Sequence, residues 1–263
     1  GSFDTQEQRV WTMPQHEHGK KVVFSKNYEQ PPVVYYAISR IDETNRGNLR
    51  VKAYVKDVTA QGMTVHLDSW DDTDMYTTVA QWITDRDFQS GVADVKATQE
   101  YTTVNVKFDS EYASTPKVVC WLRAFDLDKD GDFRIDVTPV EVSLKGCQLK
   151  FRQWGTTKAY WIQASWIAYP ANHCCIDSGS FDTQEQRDWQ KPQHEHQKKV
   201  TFAKKFERPP VVYYAISRID EANKGNPRAK SYVKDVTAQG MTAHLDSWND
   251  TVMYTTVGQW IAI

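Results

Sequence analysis

NLRVKAYVKDVTAQGMTVHLDSWDDTDMYTTVAQWI, residues 48–83, is the stretch whose reading decides the fold. Three runs in it, residues 49–58, 63–70 and 76–83, are rich in Val, Tyr, Thr and Trp, as strands are. Turn segments at 59–62 and 71–74 separate them. In the first run Leu49, Val51, Ala53 and Val55 alternate with Arg50, Lys52, Tyr54 and Lys56. In the second, Met63, Val65 and Leu67 alternate with Thr64, His66 and Asp68. That period of two gives each strand one dry and one wet face. The expectation is a three-strand meander whose wet side carries Arg50, with Trp70 and Tyr76 flanking the second turn. A guanidinium, an indole and a phenol at one strand end can hold a polyol, through hydrogen bonds to hydroxyls and ring contact with its C–H face.

Moving outward, the same stretch recurs at 226–261 and, more faintly, at 132–167. Arg50, Trp70 and Tyr76 become Arg134, Trp154 and Tyr160, then Arg228, Trp248 and Tyr254, with the same spacing each time. Residues 1–83 match residues 179–261 at 65 of 83 positions without a gap. The middle copy keeps Phe108, Tyr112, Pro116, Asp126, Gly131, Gly146 and Trp166 at equivalent places. The chain therefore reads as three tandem domains: residues 1–84, 85–170 and 177–263, called here repeats 1, 2 and 3. A period near 90 residues exceeds that of solenoid repeats, and each unit is long enough for a small core of its own.

Six strand-like segments and no helical periodicity in each unit predict an all-β fold, three six-stranded antiparallel β-sandwiches. In repeat 1 the earlier segments are an edge strand within residues 2–11, a polar loop at 12–20, a short strand at 21–24 and the apolar run VVYYAISRI at 33–41. Pro31 and Pro32 stop pairing at that edge. Repeat 2 is shorter in its first half, where repeats 1 and 3 carry a Trp and an HEH loop. The linkers, residues 84–89 and 169–178, are short, which favours packed neighbours and an intramolecular pseudo-threefold trimer.

The 263 residues carry 32 Lys and Arg against 34 Asp and Glu, a net charge of −2 without a like-charged block. No nucleic-acid footprint follows from that balance. No apolar run is long enough for a membrane-spanning helix, so membrane insertion is not expected. No signal-like leader is visible. Gly1 aligns with Gly179, so Gly1-Ser2 reads as native sequence, following a removed Met or a cleaved leader. Of the four cysteines, Cys120 and Cys147 fall on strands as small core residues, and Cys174 and Cys175 are adjacent in the second linker.

The combined pattern resembles the H-type lectins, the family of snail agglutinins and the C-terminal domain of discoidins. The motifs are Pro31-Pro32-Val33, Asn48-Leu49-Arg50, Gly62 through Ser69-Trp70, Thr73, Tyr76 and Gln81-Trp82-Ile83, with their counterparts in repeat 3 and more weakly in repeat 2. The resemblance implies threefold assembly and binding of galactose or N-acetylgalactosamine in clefts between protomers. It implies sugar contacts from Arg50, Arg134 and Arg228, from Trp70, Trp154 and Trp248, and from Tyr76, Tyr160 and Tyr254. The position that holds a sugar-facing His in the snail proteins is Asp71, Gly155 or Asn249 here. A loop acid of the family is replaced by Glu17, or by His16 and His18, and in repeat 3 by Glu195, or by His194 and His196. It further implies secreted or cell-surface action and roles in agglutination, adhesion or defence, with higher oligomers open.

Other readings compete. An arginine stem packed on surface aromatics needs no ligand. Trp82, Trp166 and Trp260 sit next to Ile in the closing strand and read as core. The His16-Glu17-His18 loop lacks the further ligands a zinc site needs. Residues 126–132, DLDKDGD, mimic the start of a calcium loop but place Val137 where the closing Glu would stand, so a β-turn is preferred. No nucleophile motif or phosphate loop appears, and neither an enzyme nor a cofactor is expected. A structural or storage protein with inactive sugar sites is the alternative to a lectin.

Overall fold

The computed structural model describes residues 1–85, 88–97 and 99–263. Arg86 and Asp87, in the expected first linker, lie outside the described residues. Repeat 1 contributes β1 (Ser2–Asp4), β2 (Gly19–Val23), β3 (Val33–Glu43), β4 (Leu49–Lys56), β5 (Gly62–Asp68) and β6 (Met75–Asp85). Repeat 2 contributes β7 (Gln89–Val95), β8 (Tyr101–Lys107), β9 (Lys117–Leu127), β10 (Phe133–Val140), β11 (Gly146–Gln153) and β12 (Ala159–Tyr169). Repeat 3 contributes β13 (Asp177–Asp182), β14 (Gln197–Thr201), β15 (Val212–Ala222), β16 (Arg228–Lys234), β17 (Gly240–Asp246) and β18 (Val252–Ala262). Two 3-10 turns complete the regular structure, at Thr5–Glu7 and Thr183–Glu185, and the described residues contain no α-helix.

The strands form three six-stranded antiparallel sheets, and each sheet is shared by two repeats. One runs β2-β5-β4-β9-β12-β7, joining repeats 1 and 2; one runs β13-β18-β15-β10-β11-β8, joining 3 and 2; one runs β1-β6-β3-β16-β17-β14, joining 1 and 3. Each repeat thus splits into two three-stranded halves, and its core lies between them. The cross-repeat seams pair Arg50 with Asp126, Arg134 with Asp220, and Arg228 with Asp42.

The expected meander is not what forms. β4 pairs with β5, but β6 pairs with β3 and β1 in the other layer. The segment between β5 and β6 crosses the sandwich, tied down by the Thr73 hydroxyl, which donates to the Asn48 carbonyl at 2.6 Å. Alternation specifies a strand's dry face, not its neighbour. The opening edge strand is also shorter than expected, three residues, because Asp4 caps a 3-10 turn. Its carboxylate accepts from Gln6 N at 2.8 Å, while Glu7 accepts from Asp4 N at 3.1 Å. The sequence signal, D-x-x-E, is a capping box.

The apolar run of β3 is buried on both faces, as a near-continuous hydrophobic strand should be. Tyr36, Ile38 and Ile41 face the core of repeat 1. Tyr35 and Ala37 face a second cluster to which all three repeats contribute equivalent positions: Val119 and Trp121 from repeat 2, Tyr213 and Ala215 from repeat 3, and Ile83, Ile167 and Ile261. One Trp against two Ala fills this centre without overpacking. The Trp121 indole N–H donates to the Gln259 carbonyl at 2.7 Å. Trp166 and Trp260 are buried, and Trp82 is half-buried, packed against the core, as their place in the closing strand implied. Cys120 and Cys147 are buried free thiols. Cys174 and Cys175 are exposed, their sulfurs 2.9 Å apart.

Candidate binding clefts between the repeats

The strand register places each conserved-spacing arginine on a seam. Arg50 Nε donates to Asp126 of repeat 2 at 3.1 Å, and Arg228 Nε donates to Asp42 of repeat 1 at 2.8 Å. Arg50 is also held by Asp72 and lies 3.4 Å from Asp71; Arg228 is held by Asp250. Burial opposes the charge of Arg50, but its carboxylate partners, Asp72 first, more than offset that and raise its pKa. Burial likewise raises Asp42 and Asp126, with the arginines pulling the other way.

Repeat 2 reaches a similar balance by a different set. Thr156 replaces Asp72, and Asp132 replaces Asn48. Arg134 therefore takes its carboxylate from Asp132, at 2.6 Å. Its contact with Asp220 of repeat 3, Nε to Oδ1 at 3.2 Å, is close but not aligned as a hydrogen bond. Burial pushes Asp220 up to about 6, against the pull of Arg134 and Arg218.

The residue after each Trp has a left-handed backbone: Asp71 at φ 59°, Gly155 at 66° and Asn249 at 56°. Asp, Asn and Gly are the types that tolerate this conformation, which accounts for their appearance at this position. At Gly155 a Cβ would also stand 2.2 Å from Arg134 Nη1, so the arginine fills the space a side chain would need.

The tyrosines do not sit where the shared spacing suggested. Tyr254 of repeat 3 faces Arg134 of repeat 2, its ring 5.2 Å from the guanidinium carbon. Tyr254 of repeat 3 thus stands in the cleft begun by Arg134 and Trp154 of repeat 2. Tyr254 packs edge-on against Trp189 at 5.8 Å, and Tyr76 packs in the same way against Trp11. Both tryptophans are exposed. Tyr160 has no such Trp, since repeat 2 lacks that loop, and its hydroxyl donates to Asp128 at 2.5 Å.

Two clefts are concave. The cleft between repeats 2 and 3 encloses about 450 Å³, lined by Arg134, Arg152 and Trp154 on one side and by Trp189, Arg218, Asp220 and Tyr254 on the other. Between repeats 3 and 1, about 360 Å³ is lined by Trp248, Glu195, Lys230 and Tyr232 with Arg40 of repeat 1, whose guanidinium lies 4.9 Å over the Trp248 ring. Volumes above about 300 Å³ suit small ligands. At the third seam, Arg50 and Trp70 face repeat 2, which has Ala124 where repeats 1 and 3 have Arg40 and Arg218. A larger cavity, about 690 Å³, is lined by Val22, Phe24, Trp82 and Tyr213, and by none of the expected site residues.

Glu17 is exposed near Tyr54, and Glu195 lines the cleft beside Trp248. The two histidines of the first HEH loop divide. His18 is buried: its ring accepts from Arg9 Nε at 2.7 Å and meets the Leu67 carbonyl at 2.9 Å through Nδ1. Burial lowers its pKa and keeps it neutral. Arg9 also donates to the Tyr76 carbonyl at 3.0 Å, so the pair fixes the chain at the cleft tyrosine. Arg187 and His196 repeat the arrangement beside Tyr254. In DLDKDGD, Asp128 and Asp132 are engaged with Tyr160 and Arg134, and a Cβ at Gly131 would stand 2.1 Å from the Thr156 carbonyl oxygen.

Sequence reasoning missed Trp189, Arg152 and Arg218 in the first cleft and Arg40 in the second. A Trp in an otherwise polar loop was the available signal for Trp189.

A solved structure of recombinant discoidin II of Dictyostelium discoideum aligns over 92% of this chain and 75% of its own, at 11% identity and a TM-score of 0.30, too loose a likeness to build on. A curated relative, "ATP synthase subunits region ORF 7" of Fuscovulum blasticum, is 29% identical over 65 residues, a quarter of this chain. The match spans 56% of that protein's length. Residues 19–84, 103–169 and 197–263 each match the H-type lectin domain model. With three such matches covering most of its length, the chain belongs to the H-type lectin family.

Proposed function

We propose that this protein is a multivalent, non-catalytic lectin that binds galactose- or N-acetylgalactosamine-type glycans in clefts between its repeats. The carrying observation is the cleft where Arg134 and Trp154 of one repeat meet Tyr254 and Trp189 of the next. Guanidinium N–H groups suit ring hydroxyls, and indole and phenol rings suit the C–H face of a sugar. A pocket built to pair hydroxyls rejects epimers that leave its donors unmatched, which favours one O4 configuration.

Two working clefts per chain follow from this reading. In the second, Arg40 of repeat 1 lies over the Trp248 ring, and this reading assigns Trp11 and Tyr76, the equivalents of Trp189 and Tyr254, to repeat 1's side of it. The seam at Arg50 is different: three carboxylates surround that guanidinium, and the facing repeat has Ala124 and no Trp loop. There the structural alternative applies, and Arg50 acts as a strut.

The same reading treats residues 1–84, 85–170 and 177–263 as three domains that build the assembly within one chain. A glycan array tests the specificity; absence of enrichment for terminal galactose or N-acetylgalactosamine removes it. Sedimentation tests the assembly: a compact particle of 30.4 kDa is expected, and one of three times that mass refutes it.

A further inference from the structure

We infer that the cleft between repeats 2 and 3 takes an anionic saccharide, one bearing a carboxylate or a sulfate ester, while the cleft between repeats 3 and 1 takes a neutral one. This deepens the lectin reading and rests on it. The carrying difference is Arg152. It is the penultimate residue of β11, where the equivalent residues Asp68 and Asp246 close β5 and β17. In repeats 1 and 3 that carboxylate accepts from a tyrosine hydroxyl, Tyr54 or Tyr232. Repeat 2 has Thr138 in place of that tyrosine, and a guanidinium in place of the acid.

Three arginines against one carboxylate, Asp220, line the first cleft; Arg40 and Lys230 against Glu195 and Asp246 line the second. The remaining acids near the first cleft stand behind its arginines. Asp136, buried, accepts from Arg152 through Nε at 2.9 Å and through Nη2, and from Arg218 Nε at 3.2 Å. Asp182 accepts from Arg218 Nη1 at 3.0 Å, Asp132 meets Arg134 Nη2, and Glu100 acts on Arg152 from a distance. These contacts take Nε and Nη2 of Arg152, Nη2 of Arg134, and Nε and Nη1 of Arg218, and leave at least one nitrogen of each guanidinium over. Among the described residues, Nη1 of Arg152, Nη1 of Arg134 and Nη2 of Arg218 donate no hydrogen bond within the protein. Arg152 is 41% exposed in its side chain, and its guanidinium carbon lies 5.6 Å over the Trp154 ring. Planar forks with donors to spare match the paired oxygens of a carboxylate or sulfate, and Trp154, Trp189 and Tyr254 remain as walls for the sugar ring.

Calorimetry on the full chain tests this with a neutral galactoside, its 6-sulfate and the matching galacturonide. The wild type is expected to bind at least one charged form about tenfold more tightly than the neutral galactoside at one site per chain, and the two charged forms separate sulfate from carboxylate. Arg152→Asp, which installs the residue type of the other repeats, is expected to lose that gain and keep neutral binding at the cleft of Trp248. Should this variant unfold, the reciprocal Asp246→Arg in repeat 3 is expected to add a second charged-ligand site. Neutral binding without preference for a charged form overturns the inference and leaves the lectin reading standing. Charged binding that neither variant changes also overturns it. No binding of any of the three overturns both.

Discussion

The cleft between repeats 2 and 3 and the seam between repeats 1 and 2 begin from equivalent residues, Arg134 with Trp154 and Arg50 with Trp70, yet differ in what faces them. The first meets Trp189, Tyr254 and Arg218 of repeat 3; the second meets the repeat that lost its first loop and carries Ala124. The shorter loop of repeat 2 therefore changes what faces Arg50 of repeat 1, not what faces repeat 2's own Arg134. In a ring of shared sheets a repeat's divergence is felt across its seam. The charge balance follows the same logic: Asn48 with Asp72 becomes Asp132 with Thr156, so each arginine keeps a carboxylate though its source has moved.

The largest test of the difference between repeats lies at the centre, where Trp121 stands against Ala37 and Ala215. Trp121→Ala is expected to destabilise by about 3–5 kcal/mol, the cost of an emptied aromatic site in a packed core. Chemical denaturation measures it, and a cost no larger than that of an exposed Trp would mean the three repeats do not depend on a common core.

Next come the seams. Arg228→Ala leaves the half-buried Asp42 without its aligned partner and is expected to cost about 2–3 kcal/mol. Arg134→Ala, whose contact with Asp220 is already unaligned, is expected to cost about 1 kcal/mol. Equal losses would erase the distinction between tight and loose seams.

Smaller again is the effect of Glu221, a fully buried acid whose counterpart in repeat 2 is Leu127. Burial raises its pKa to about 8. Between the ordinary glutamate range and that value the folded state holds a proton that the unfolded state has lost. Its contribution to stability therefore falls as pH rises through this window. Glu221→Leu is expected to gain about 1 kcal/mol near neutral pH, although the amide of Arg228 loses its 3.0 Å acceptor, and to flatten the pH slope of the unfolding midpoint. An unchanged slope would show that the acid is not buried as described.

The least effect on folding belongs to Trp189→Ala and Trp11→Ala, each expected within about 0.5 kcal/mol because the rings are exposed. Trp189→Ala is expected to remove the site between repeats 2 and 3, and Trp11→Ala the site of Trp248, each leaving the other intact in calorimetry with the charged and the neutral galactosides. Retention of both sites in either variant would remove the loop tryptophans from the clefts.

By itself, the sequence determined the all-β class, the three copies, most strand spans, the core role of Trp82, Trp166 and Trp260, and the recurring spacing of Arg, Trp and Tyr. Those rest on alternation and spacing, which act over a few residues and survive in a one-dimensional pattern. The tertiary structure alone decided that β6 leaves β5 for the other layer, that every sheet is shared, and that Tyr254 belongs with Arg134. Alternation assigns a face without naming a partner, and equivalent spacing in each copy cannot reveal which copy's residue comes alongside. The pairing of Arg228 with Asp42 joins the ends of the chain through strand register and burial of the common centre, and no local pattern encodes either.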